Sequence, residues 1–202
     1  MNKFEDIKDN LQSGDMILCS GNYPISNIIR EVTNSEYSHV GILRPSTAWT
    51  HKTEWYVYES VESVGVRSTW FYGQYLLSYG KTRYPYDGRI DIVRNKKLSE
   101  ISDCPYCTQK TKPVFEKRLF DKAEELIGHK YNNKEITDIV KRIILNRHSG
   151  HPVDHGKYIC SEYVYFCFKA AGIDLYYDDR GFISPKNILE DENVELIYKD
   201  VR

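Results

Sequence analysis

Residues 158–172, YICSEYVYFCFKAAG, decide how this chain is to be read. Apolar positions recur at helical spacing from Ile159 to Ala171, and Gly172 stands where a helix end favours glycine. Cys160 therefore falls in the first turn of a helix. There the free N–H groups and the helix dipole stabilise a thiolate, so a cysteine so placed suits a nucleophile. Cys167 lies two turns further along the same stripe as Cys160 and Val164 and reads as a packing residue.

Working outward, further helices are expected at 114–127, 134–146 and 185–190, with a last strand at 194–198. The first half reads differently. After a short helix at 3–12 come strands at 15–20, 37–43, 54–61, 65–72 and 90–94, and one helix at 24–32 that starts on Pro24. Strands clustered first and helices later give an α+β domain, not a doubly wound α/β one. Alternation puts Tyr37, His39 and Gly41 on one face of their strand, with Gly41 leaving space over the imidazole, and Trp55, Val57 and Glu59 on one face of theirs. If the two strands are antiparallel neighbours, Glu59 can face His39 and stabilise its imidazolium. A carboxylate, a histidine and a helix-start cysteine are the parts of a nucleophilic catalyst.

Composition bounds the rest. The 202 residues carry 28 Lys+Arg against 29 Asp+Glu, a net charge of −1, which argues against nucleic-acid binding. With 41% hydrophobic and 28% charged residues the chain is an ordinary globular one, read as a single domain over 1–202. No signal peptide or membrane-spanning run is seen, and the odd count of five cysteines fits a reducing compartment, so a cytoplasmic location is expected. The 17 tyrosines suit strands and polar cleft walls, and Trp49, Trp55, Trp70, Tyr72, Tyr75, Tyr79, Tyr84 and Tyr86 are candidates to wall a substrate cleft. The helix at 134–146 brings Ile136, Ile139, Val140, Ile143 and Ile144 together with the basic residues Lys134, Lys141, Arg142 and the following Arg147, and reads as core-facing with a solvated basic side rather than as a lipid-surface helix.

The order of Gly14–Leu18 (GDMIL), Ser38–Ile42 (SHVGI), Val57–Ser60 (VYES), Gly65–Val66, Gly128–Tyr131 (GHKY), Tyr158–Val164 (YICSEYV) and Ser184–Pro185 resembles the permuted papain-like amidases of the YiiX/YaeF-like group, in the NlpC superfamily with its LRAT-like relatives. The resemblance spans about residues 14–190. It implies a circularly permuted papain-like fold, a small antiparallel β-barrel or sheet packed on the cysteine-bearing helix. It also implies Cys160 as nucleophile, His39 as base and Glu59 as orienting acid, with no cofactor. The substrate classes implied are small amides, acyl-amino acids, peptides or lipid amides. For the oxyanion the Cys160 N–H is one donor, with Tyr37 and Ser161 as further oxyanion or substrate candidates.

Residues 96–112 read as an insert holding Cys104-Pro-Tyr-Cys107. That pair makes a weak metal candidate with His148, His151 and His155, and loop cysteines without metal are the plainer reading. Two other readings stay open on sequence alone: a lipid- or peptide-binding module on the same fold, and a zinc or redox protein using Cys104 and Cys107.

Overall fold

The computed structural model describes residues 7–46, 53–76, 86–100, 111–148 and 150–200. Its centre is one six-stranded antiparallel sheet of β1 (Met16–Gly21), β2 (His39–Ser46), β3 (Glu54–Val61), β4 (Gly65–Trp70), β5 (Gly88–Asn95) and β6 (Val194–Tyr198), in the spatial order β4-β3-β2-β1-β5-β6. The helices are α1 (Pro24–Thr33), α2 (Lys96–Glu100), α3 (Thr111–Glu125), α4 (Asn133–Ile144), α5 (Cys160–Ala170) and α6 (Pro185–Glu190), with a π-helical turn at Tyr72–Leu76.

Period-two alternation sorts the strand residues onto two faces. Met16, Leu18, Val40, Ile42 and Val93 meet Leu119 and Phe120 of α3 and Tyr163, Val164, Cys167 and Phe168 of α5 in one apolar cluster. Ile17, Cys19, Leu43, Trp55, Val57 and Ile92 make a second cluster on the other face with Ile7, Leu11, Phe71 and Tyr75. Because both faces are covered, the central strand β1 is apolar at every position from Met16 to Cys19.

The sheet is open and does not close into a barrel. The outer edge of β4 is taken by the segment before α4: Val66 N–H donates to His129 O at 2.9 Å and Gly128 N–H to Val66 O at 2.9 Å. That pairing covers the outer edge of β4 at Val66. Gly65 makes the approach feasible. Its φ is +88°, and a Cβ there would stand 2.2 Å from the His129 carbonyl oxygen. The β3–β4 hairpin and the 128–131 segment are thus locked together at backbone level.

Sequence and structure differ in places that matter. The expected helix at 3–12 leaves only a turn within its described part, residues 7–12. Strand β2 begins at His39, two residues later than its pattern suggested, because Ser38 N–H bends back to Cys19 O at 2.9 Å. Tyr37 therefore leaves the His39 face, and its ring packs with Met16 and Leu18 on the opposite side. Of the expected insert, residues 96–100 form α2, while Cys104 and Cys107 lie outside the described residues.

Candidate active site

Two strand registers place the histidine and its acid. Cys19 of β1 pairs with His39, and Ile42 of β2 pairs with Tyr58. Continuing the second ladder by one step sets Gly41 opposite Glu59, which puts His39 on the diagonal, within reach of a long side chain. The absent side chain at Gly41 is what lets the acid lean over. A Cβ there would lie 2.5 Å from Val57 Cγ1 and 3.3 Å from Glu59 Cβ, so the space expected to be open is filled by those two residues.

His39 Nε2 lies 2.6 Å from Glu59 Oε2. Glu59 is fully buried, and its carboxylate accepts from four donors. Arg67 gives Nε and Nη2 hydrogen bonds to Oε1 at 2.9 and 2.7 Å, and the Tyr75 hydroxyl joins His39 at Oε2. Burial alone would raise the carboxyl pKa, but His39, Arg67 and Tyr75 together pull it below the ordinary value. With Glu59 ionised, the hydrogen shared at 2.6 Å belongs to His39 Nε2, which leaves Nδ1 as the nitrogen facing Cys160. Burial disfavours the imidazolium; hydrogen bonds to Cys160 and Glu59 and the charges of both outweigh it and raise the His39 pKa to about 10. His39 is accordingly an imidazolium at neutral pH, and an imidazolium beside a sulfur is the setting in which cysteines react as thiolates.

Cys160 is the first residue of α5. Ile159, with extended ψ of 168°, precedes the helix, and Glu162 at the third position accepts the Ile159 N–H at 3.0 Å. The Cys160 sulfur lies 3.8 Å from Ser38 O, so the helix start abuts the chain as it enters β2. The backbone N–H of Cys160 is one of the four that an α-helix leaves unpaired at its start.

Two further candidates from the sequence have hydrogen-bond partners of their own, and of the two Ser161 still lines the pocket beside Cys160. The Tyr37 hydroxyl donates to Asp91 Oδ2 at 2.5 Å and accepts from Arg89 Nη2 at 2.8 Å, and Tyr37 does not line the cleft beside His39. The Ser161 hydroxyl donates to Ile183 O at 2.7 Å and is buried. It ties the helix start to the loop before α6. A residue that received no role from the sequence also stands at the site. Tyr131 lines the wall shared by the regions around His39 and Cys160, and its hydroxyl has no hydrogen-bond partner among the described residues. Burial, then the charge of Cys160, pushes its pKa up, so it stays protonated as a donor. Its position follows from the lock between Gly65 and His129, two residues away. The GHKY motif was the signal that could have marked it.

The cleft encloses about 680 Å³ between α1 and the β3–β4 turn, and His39, Glu59, Arg67, Tyr75, Tyr86 and Tyr131 all line it. Of the aromatic residues expected to wall it, Tyr75 and Tyr86 do so, and Trp55 is in the core. Trp49, Tyr79 and Tyr84 fall outside the described residues. The basic helix agrees in part: the apolar side of α4 turns inward, with Ile139 buried and Ile136 and Ile143 packed beside it, but Ile144 is exposed and Arg142 is drawn inward to Glu135 and the Gly181 carbonyl. No helix of the described residues is long and apolar enough to cross a membrane.

No family model matches the sequence, and no curated protein matches it either. The fold has a solved counterpart. It is similar to the crystal structure of metalloprotein yiiX from Escherichia coli O157:H7, DUF1105, at a TM-score of 0.61 over 94% of this chain and 97% of that one. The two are 16% identical, so the likeness is one of fold. That protein is described as a metalloprotein. Among the described residues no three of His, Cys, Asp and Glu are placed to hold a metal ion. His148 pairs with Asp179 at 3.2 Å and His151 with the Tyr177 hydroxyl. The His39 ring nitrogens are also engaged, by Glu59 and by Cys160. The donor set around His39 therefore does not fit a metal ion.

Proposed function

We propose that this chain is a cysteine hydrolase that cleaves an amide, ester or thioester through a covalent acyl-enzyme, on a permuted papain-like arrangement in which the histidine and acid precede the cysteine. The observation that carries the reading is His39, held at 2.6 Å by a buried, ionised Glu59 and hydrogen-bonded to the cysteine at a helix start. The Cys160 sulfur attacks the substrate carbonyl carbon. As the S–C bond forms, the carbonyl π pair moves onto oxygen. Collapse of that intermediate breaks the bond to the leaving atom, which departs with the bonding pair and takes the proton from His39 Nδ1. Water then attacks the thioester while His39 removes its proton, and the sulfur leaves as the carboxylic acid is released. Charge on the tetrahedral oxygen is met by the Cys160 backbone N–H and the Tyr131 hydroxyl.

Selective alkylation tests this. Limiting iodoacetamide at pH 6 should modify Cys160 ahead of Cys19 and Cys167: all three thiols are buried, but it is Cys160 that His39 hydrogen-bonds, and burial pushes the Cys167 thiol pKa well up. Peptide mass mapping that found Cys160 no faster than those two would remove the nucleophile and the proposal with it.

A further inference from the structure

The Glu59 side chain is a carboxylate at 0% exposure, where an isolated charge would be lost to a proton. The groups that face it come from five elements. His39 comes from β2, Arg67 from β4 and the Tyr75 hydroxyl from the π-helical turn, and the neutral hydroxyls of Tyr86, before β5, and Tyr163, on α5, feel its charge. Among the described residues bonded to Glu59, Arg67 is the one permanent cation, since an imidazole can give up its proton and a guanidinium cannot. Its place is set by the sheet. Arg67 is the direct partner of Glu59 in the β3–β4 ladder, and Val66 before it is held by the His129 and Gly128 backbone. The Arg67 side chain is 26% exposed, so the guanidinium stays hydrated at the cleft while its Nε–H and one Nη2–H fill Oε1. Oε2 is left as the acceptor for His39 and Tyr75. We propose that Arg67 is a positioning residue of the hydrolase: by holding Oε1 it keeps a bare oxygen on the His39 side, and so fixes the ring with a proton on Nε2 and with Nδ1 turned to Cys160.

This rests on the hydrolase reading above and adds a residue to its machinery, one that acts through Glu59 and His39. The geometry has a consequence that packing alone would not produce. With Arg67 present, a glutamine at position 59 must give its amide oxygen to the guanidinium and its NH2 to His39, the wrong way round for the ring. With glutamine at position 67 as well, that constraint is gone. The amide at 59 can turn over, its oxygen meeting the two donors at the Oε2 place, His39 and Tyr75, and its NH2 meeting the amide oxygen at 67. Arg67→Gln should therefore slow the wild-type protein and yet speed Glu59→Gln, a reversal of sign between two residues in contact. A loss of packing in the β3–β4 hairpin would slow both.

The test follows p-nitrophenyl butyrate with the full-length protein. The thiolate forms the S–C bond, the C–O bond breaks, and p-nitrophenolate leaves with the bonding pair and is read optically; butyryl mass on the Cys160 peptide fixes the site. Arg67→Gln alone should lower the acylation rate about tenfold, as expected for losing a hydrogen bond to a charged group. Its acid limb should move up by about one pH unit or more, because the guanidinium charge that opposes the burial of Glu59 is gone. Arg67→Lys keeps the charge and should return the limb to within about half a unit of wild type. The double variant of Arg67→Gln and Glu59→Gln should react about fivefold faster than Glu59→Gln, or more. A double variant slower than Glu59→Gln, or an acid limb unmoved in Arg67→Gln, would overturn the positioning role and leave the hydrolase standing. No butyryl on Cys160 of the wild-type protein would overturn both.

Discussion

Replacing Glu59 by glutamine probes the site at its most constrained point. The glutamate is fully buried and faces donors only: two from Arg67 on Oε1, and His39 Nε2–H and the Tyr75 hydroxyl on Oε2. A glutamine keeps one acceptor and adds two N–H donors. Arg67 has no acceptor, so the amide oxygen must stay with it and the amide NH2 must face His39. The imidazole then has to present a bare Nε2 and carry its proton on Nδ1, the nitrogen that should accept the thiol proton. Two losses follow. Hydrogen bonding and charge from Cys160 and from Glu59 both raise the His39 pKa, to about 10. Losing the hydrogen bond between the imidazolium and a charged acceptor is worth about 1.5–3 kcal/mol, or roughly ten- to a hundredfold in rate. The wrong tautomer adds to this, as in serine triads, where the equivalent change costs about 10⁴ in kcat. Because a cysteine is ionised more readily than a serine, the expected fall in acylation rate is about 10² to 10³. The assay is the p-nitrophenolate burst from p-nitrophenyl butyrate, with thermal melting to confirm folding. His39→Ala should fall further still. A folded Glu59→Gln protein within threefold of wild type, or one less active than His39→Ala, would refute this account of how His39 is oriented.

Other perturbations test the surrounding argument. Gly65→Ala places a Cβ 2.2 Å from the His129 carbonyl at a φ of +88°, and should cost about 2–3 kcal/mol, read as a lowered melting temperature; an unchanged melt would mean that the backbone lock is not as described. Tyr131→Phe should slow acylation by roughly ten- to a hundredfold while leaving Cys160 alkylation unchanged, and equal acylation rates would strike Tyr131 from the oxyanion site. The pH dependence of stability has a definite sign. The His39 pKa is raised from 6.5 to about 10, so its contribution is complete below pH 6.5 and is lost as pH rises toward 10. Burial raises Glu162 from 4.5 to about 8, against the Ile159 N–H, with the charge of Glu135 adding to it; the folded form binds the extra proton, and stability again falls as pH rises from 4.5 to 8. The melting temperature should therefore drop from pH 6 to pH 9, and less steeply in Glu162→Gln; a flat profile would contradict both shifts.

The sequence by itself determined the α+β class, most strand and helix positions, and the trio His39, Glu59 and Cys160 as candidates. These are local properties. Alternation of period two assigned His39 and Glu59 to faces of their strands, and helical spacing closed by Gly172 put Cys160 at a helix start. Arg67 was within reach as well, since a short hairpin turn at residues 62–64 fixes it opposite Glu59. What only the tertiary structure decided are the relations between segments far apart in the chain. Tyr37 lies on the pattern of the His39 strand, yet its hydroxyl is drawn 54 residues away to Asp91, and the ring goes to the other face. Tyr75 reaches Glu59 from a π-helical turn that no periodicity announces. Tyr131 comes to the site because the His129 backbone caps the edge of β4 at Val66. The pocket beside Cys160 arises where α1 and α4, separated by about a hundred residues of sequence, turn their apolar sides toward one another. Side-chain periodicity is set by bonds within one segment, whereas such meetings are set by which surfaces pack after the sheet has formed.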